Sequence, residues 1–123
     1  DSKGRTFLIW AARGGNETIV RLFLDDGGGI NTTNDDGWTP LMYAARGGYY
    51  AVVQLLLEKG AAKAVSDKKE FTALMAAARG GNEDLVKLFL DGGAEVDAKD
   101  NMKRTALIWA ANDGHDKVVK LLI

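Results

Sequence analysis

The sequence predicts an all-α solenoid of four stacked helix–turn–helix units, with short β-turn or hairpin loops projecting to one side. Three observations predict it. A threonine recurs at Thr6, Thr39, Thr72 and Thr105, every 33 residues without slippage. In phase with it stand Leu8, Leu41, Leu74 and Leu107, and the alanine pairs Ala11-Ala12, Ala44-Ala45, Ala77-Ala78 and Ala110-Ala111. Gly15, Gly48, Gly81 and Gly114 complete the frame. A fixed period of this size marks stacked supersecondary units. The 123 residues form a single domain, 1–123, with units 1–33, 34–66, 67–99 and a truncated 100–123.

Each unit reads as a turn, a short helix, a tight bend, a second helix and an extended return. In the first, Thr6 is expected to cap a helix through Phe7 to Ala12, its hydroxyl accepting from the first unpaired N–H groups. Gly14-Gly15 should end that helix, because glycine takes the left-handed conformation cheaply. Asn16 then caps the second helix, with Glu17 in its first turn, where negative charge suits the helix dipole. Ile19, Val20, Leu22, Phe23 and Leu24 give this helix a broad apolar face. Gly27-Gly28-Gly29 should stop it; no strand precedes this run and no Lys-Ser/Thr follows, so it is no phosphate cradle. The alanine pairs let first helices approach closely, while the larger Leu and Val side chains of second helices fill the layer behind.

The clearest copy runs from Gly37 through Trp38-Thr39-Pro40-Leu41-Met42-Tyr43-Ala44-Ala45-Arg46-Gly47-Gly48, then Val52 to Leu57 and Gly60. This pattern resembles the ankyrin repeat, and the resemblance covers residues 1–123. Two departures stand out. The column after Thr-Pro-Leu, often His in that family, is Ile9, Met42, Met75 and Ile108, which implies packing in place of a hydrogen bond. The turn glycine kept at Gly4 and Gly37 becomes Glu70 and Lys103, placing side chains where a turn often needs positive φ.

Composition excludes several functions. A net charge of −1 gives no electrostatic reason to expect nucleic acid or an anionic membrane surface. No apolar run reaches membrane-spanning length. With no cysteine, disulfide and thiolate chemistry are absent. His115 is the one histidine and occupies the cap column before the last helix, without the partners that a metal site or acid–base system needs. Asp25-Asp26 and Asp35-Asp36 fall in expected turns, where aspartate bonds its own backbone. No enzyme, cofactor or metal is expected. The absent initiating Met and the apolar ends suggest an engineered or consensus-derived array, or a piece of a longer one. A natural protein of this type would be cytoplasmic or nuclear, and the chain is expected to be monomeric by itself.

The units act as each other's controls. At the start of the second helix, units one, three and four pair an acid with a base four residues later: Glu17 with Arg21, Glu83 with Lys87, Asp116 with Lys120. Unit two has Tyr49-Tyr50 instead. The column after the turn glycine reads Arg5, Trp38, Phe71 and Arg104, aromatic only in the middle. In the ankyrin family, turn tips and first helices line a concave groove that contacts proteins. Carried over by position, the column Trp10, Tyr43, Ala76 and Trp109 lies on the exposed side. The groove would be lined by Trp38, Tyr43, Arg46, Phe71 and Arg79, flanked by Trp10, Arg13 and Trp109, with Tyr49 and Tyr50 at its lower edge. Aromatics and arginine dominate interface hot spots. The resemblance therefore implies a module that binds a protein partner, centred on units two and three; the alternative is a scaffold array with no partner. The return Ala61 to Ser66, with Lys63 in a column otherwise held by Ile30 and Val96, is expected to be a loosened or trimmed surface.

Overall fold

The computed structural model describes residues 2–25, 29–62 and 65–123, the first five of these as backbone alone. Among the described residues lie eight helices: α1 (Ser2–Gly14), α2 (Glu17–Asp25), α3 (Pro40–Gly47), α4 (Tyr50–Glu58), α5 (Ala73–Gly80), α6 (Glu83–Asp91), α7 (Ala106–Asn112) and α8 (Asp116–Leu122). There is no strand among them, only an isolated bridge between Ser66 and Thr72.

Thr39, Thr72 and Thr105 cap as expected, accepting from the backbone N–H of Met42, Met75 and Ile108 at 3.2, 3.2 and 3.3 Å. The helix expected to start at Thr6 instead runs on through it to Ser2. Gly48 and Gly81 end α3 and α5 in the left-handed conformation, at φ 77° and 75°. Asn16 and Asn82 cap α2 and α6 through Ile19 and Leu85. Helix α2 ends at Asp25, while Asp26, Gly27 and Gly28 lie outside the described residues.

First helices pack on first helices, α1 on α3 on α5 on α7, and each second helix packs on the first helix of its own unit, with α2 against α4 and α6 against α8. The alanines explain the spacing: Ala12, Ala44, Ala45, Ala77, Ala78 and Ala110 are fully buried. Where the helices end, backbone meets backbone. A Cβ on Gly80 would lie 2.6 Å from the carbonyl oxygen of Arg46, so only glycine fits. Met42 and Met75 are buried, so their column does pack between units, whereas Ile108 on the outer side of the last unit is exposed. The outer face of unit one is likewise open: Ile19 and Leu22 are exposed, while their sisters Val52 and Leu55 are buried against α2. Of the three surface ion pairs expected, Glu17–Arg21 forms at 3.3 Å; those of Lys87 and Lys120 do not, as exposed lysines gain little from being fixed.

The tips are hairpins held by one repeated device. Asn34, Asp67 and Asp100 each use one side-chain oxygen to accept two backbone N–H groups, from residues two and four further on, at 2.8 to 3.0 Å. Neighbouring tips then bond to each other, Lys68 N–H to Asp36 at 3.1 Å and Asn101 N–H to Lys69 at 2.8 Å. Within these hairpins Gly37 has φ 84°, and Glu70 and Lys103 are forced to the same side at φ 62°. Ala61, expected at a trimmed surface, is instead core, and the next N–H, of Ala62, donates to Asn31 at 2.9 Å. Lys63 lies outside the described residues.

Candidate binding face

The tips and first helices carry a row of rings. Trp38 sits 4.8 Å from Tyr43 and stacks on Phe71 at 5.6 Å, and Phe71 meets the Trp109 edge at 5.7 Å. The row links units two, three and four across their seams. Each indole is tied by its N–H to an aspartate of the turn device: Trp38 to Asp67 at 2.8 Å, Trp109 to Asp100 at 3.1 Å.

This arrangement corrects the exposure expected for part of the groove. Phe71 and Trp109 are buried at 7% and 8% exposure, and Ala76 is fully buried. The cause at Trp109 is a sandwich: the guanidinium of Arg79 lies 4.3 Å and that of Arg104 4.1 Å from its ring. The long cationic side chains roof the indole. Arg79 is spent in the same way, pairing with Asp113 at 3.5 Å. Trp38 is half-buried.

Asp100 is the electrostatic centre of the last tip. Burial pushes its carboxyl up, but the Arg104 and Met102 backbone N–H groups, the Arg104 guanidinium and the Trp109 indole together outweigh burial. They hold it below the ordinary carboxylate value. The ion pair with Arg104 measures 2.9 Å.

Toward units one and two the face is open. Trp10 is 59% exposed. The Arg13 guanidinium rests between two rings, 5.3 Å from Trp10 and 5.6 Å from Tyr43. Tyr43 is held upright by the side-chain amide of Asn34, which donates to its hydroxyl at 2.7 Å. With Ile9, Thr32, Thr33 and Asp35 these residues line a cleft of about 330 Å³. Arg46 is exposed on the next first helix.

Tyr49 and Tyr50 part company. Both are partly exposed, but Tyr49 lies flat on the backbone of Gly15 and Gly47. Its column does the same in the two later units: Asn82 reaches the Gly48 carbonyl at 3.4 Å, and His115 covers Gly81 while its Nε2–H donates to the Arg79 carbonyl at 2.9 Å. Tyr49 thus closes a seam between bends. Tyr50 lines a separate hollow with Asp84, Lys87 and Leu88, on the second-helix side. The aspartate and asparagine clamps were missed from sequence, although Asn34, Asp67 and Asp100 recur at the same period as the threonines.

Among the described residues no cluster of His, Cys, Asp or Glu could hold a metal ion, and no helix is long and apolar enough to cross a membrane. A family model described as ankyrin repeats (3 copies) matches residues 1–67 and again 60–123. No curated protein matches the chain.

Proposed function

Because the chain belongs to the ankyrin-repeat family, whose members are in general protein–protein interaction modules, we propose that it binds a protein segment along its tips and first helices, at the seam of units one and two. The observation that carries this reading is the contrast along the first-helix column. Trp10 is exposed and Tyr43 half-exposed, while Trp109 is roofed by arginines. A partner gains most from desolvating aromatic and arginine side chains not already used internally. The centre therefore shifts from units two and three, where Phe71 and Arg79 are occupied, to Trp10, Arg13, Tyr43 and Arg46, with Trp38 behind them.

Selection of binders from a random linear peptide library on the folded chain tests this. Trp10→Ala should weaken the selected peptides by roughly thirtyfold, the equivalent of about 2 kcal/mol, with the melting temperature unchanged. Lys87→Ala on the second-helix surface should alter neither. Binders indifferent to Trp10→Ala and Arg46→Ala would place the interaction elsewhere.

A further inference from the structure

The arginines that recur along the first helices are not equivalent. Arg13, Arg46 and Arg79 stand one period apart, near the ends of α1, α3 and α5. Arg79 has two partners: the Trp109 ring beneath it and the Asp113 carboxylate of the next unit. The residues that correspond to Asp113 one and two units earlier are Gly80 and Gly47. Gly80 cannot carry a side chain, since its Cβ would strike the Arg46 carbonyl. At Gly47 the Tyr49 ring covers the backbone, and any side chain there would have to displace it. Close packing at these bends has thus removed the internal carboxylates that Arg46 and Arg13 would have met. Among the described residues neither forms an ion pair, while Arg13 keeps the aromatic seat, between Trp10 and Tyr43.

From this we infer that the partner segment is acidic, and that it presents carboxylates to Arg13 and Arg46 as Asp113 does to Arg79. This inference rests on the binding reading above and names its chemistry. The two arginines lie on adjacent first helices, whose axes in packed pairs are roughly 8–10 Å apart. A segment in the polyproline II conformation brings every third side chain to the same face and rises about 9 Å over three residues, so acids three apart fit. A ring-seated guanidinium is pre-oriented and loses less freedom on pairing, which favours Arg13 as the stronger contact. Asp35, on the tip side of the same cleft, repels acids there. The carboxylates therefore lie toward the helix ends, with an apolar residue over Trp10.

The test uses the full chain and labelled synthetic peptides of the pattern Glu-x-x-Glu with a neighbouring Leu, their Gln-x-x-Gln and Lys-x-x-Lys counterparts, and the variants Arg13→Gln, Arg46→Gln and the double Arg13→Glu/Arg46→Glu. The acidic peptide should bind the parent chain at least about tenfold more tightly than the Gln peptide, as charge-assisted bonds exceed neutral ones. Each Gln variant should erase part of that gap, and the double Glu variant should prefer the Lys peptide. Equal affinity for all three peptides, or a preference unmoved by both Gln variants, overturns the inference. If Trp10→Ala still abolishes binding in that case, the binding face stands and only its acidic preference falls. If Trp10→Ala is also silent, both fall.

Discussion

The indole N–H of Trp38 donates a 2.8 Å hydrogen bond to Oδ2 of Asp67, whose other oxygen clamps the turn of the following unit. A residue that reads as a binding anchor is therefore also a strut between tips. Its ring lies on Phe71 and against Tyr43. Trp38→Ala is accordingly expected to lower stability by roughly 2–4 kcal/mol, for lost burial plus the unpaired Asp67 oxygen. Trp10→Ala, on an exposed ring, should leave thermal unfolding within about 0.5 kcal/mol of the parent. Denaturant titration of both variants checks this, and equal costs would mean that the row of rings contributes no coupling between units.

Glu70 and Lys103 occupy φ 62° in hairpins whose sister position is Gly37 at φ 84°. The left-handed region strains any residue with a Cβ. Glu70→Gly and Lys103→Gly should each stabilise the array, by up to about 1 kcal/mol, with Gly37→Ala moving it the other way. Melting curves of the three variants decide it. A fall in stability for Glu70→Gly would show that the unfolded-state entropy of glycine outweighs the relief of strain.

Asp100 links acid sensitivity to the last tip. Its carboxyl is held below the ordinary value, so the unfolded chain binds its proton more readily than the folded one. The stabilisation is complete above the unfolded carboxylate range, near pH 4, and drains away as pH falls through the lower folded value. Asp100→Asn keeps one oxygen for the turn N–H groups, as Asn34 does, but turns an amide N–H toward the Arg104 and Trp109 donors. A loss of roughly 1–3 kcal/mol at neutral pH is expected, with a shallower decline on the acid side. An Asp100→Asn chain whose acid unfolding profile parallels the parent's would assign that decline to other carboxylates.

Periodicity made the architecture legible because caps and bends repeat with the chain. Thr39, Thr72, Thr105 and Gly48 do the same work at each recurrence, and Glu70 announced a strained turn by standing where glycine was expected. Exposure was not legible in this way. Trp10 and Trp109 share a column, yet one is open and the other is roofed by Arg79 and Arg104. The difference arises from side chains of other columns, Arg79 of the preceding unit and Arg104 of the same unit, which a column-by-column comparison does not see. Tyr49 shows the same limit: its departure from Asn16 and Asn82 suggested a partner, whereas its ring covers glycine backbone of its own and the preceding unit.

That last contact gives a test in which geometry and backbone strain separate. Gly15 has φ 76°, and a Cβ there would lie 2.5 Å from Cδ1 of Tyr49. Gly114 has the same φ of 76° with nothing within 4 Å of the added atom. Gly114→Ala therefore measures the conformational cost alone, about 1–2 kcal/mol. Gly15→Ala should cost more, by roughly 1–3 kcal/mol of overpacking, since the Tyr49 ring is wedged between Gly15 and Gly47 and has little room to retreat. Introducing Tyr49→Asn, the residue at the sister positions 16 and 82, should bring the cost of Gly15→Ala back to that of Gly114→Ala. Denaturant unfolding of the parent, both single variants and the double variant gives the coupling directly. A Gly15→Ala penalty no larger than that of Gly114→Ala would show that the ring swings clear, leaving the seam between units one and two to the helices alone.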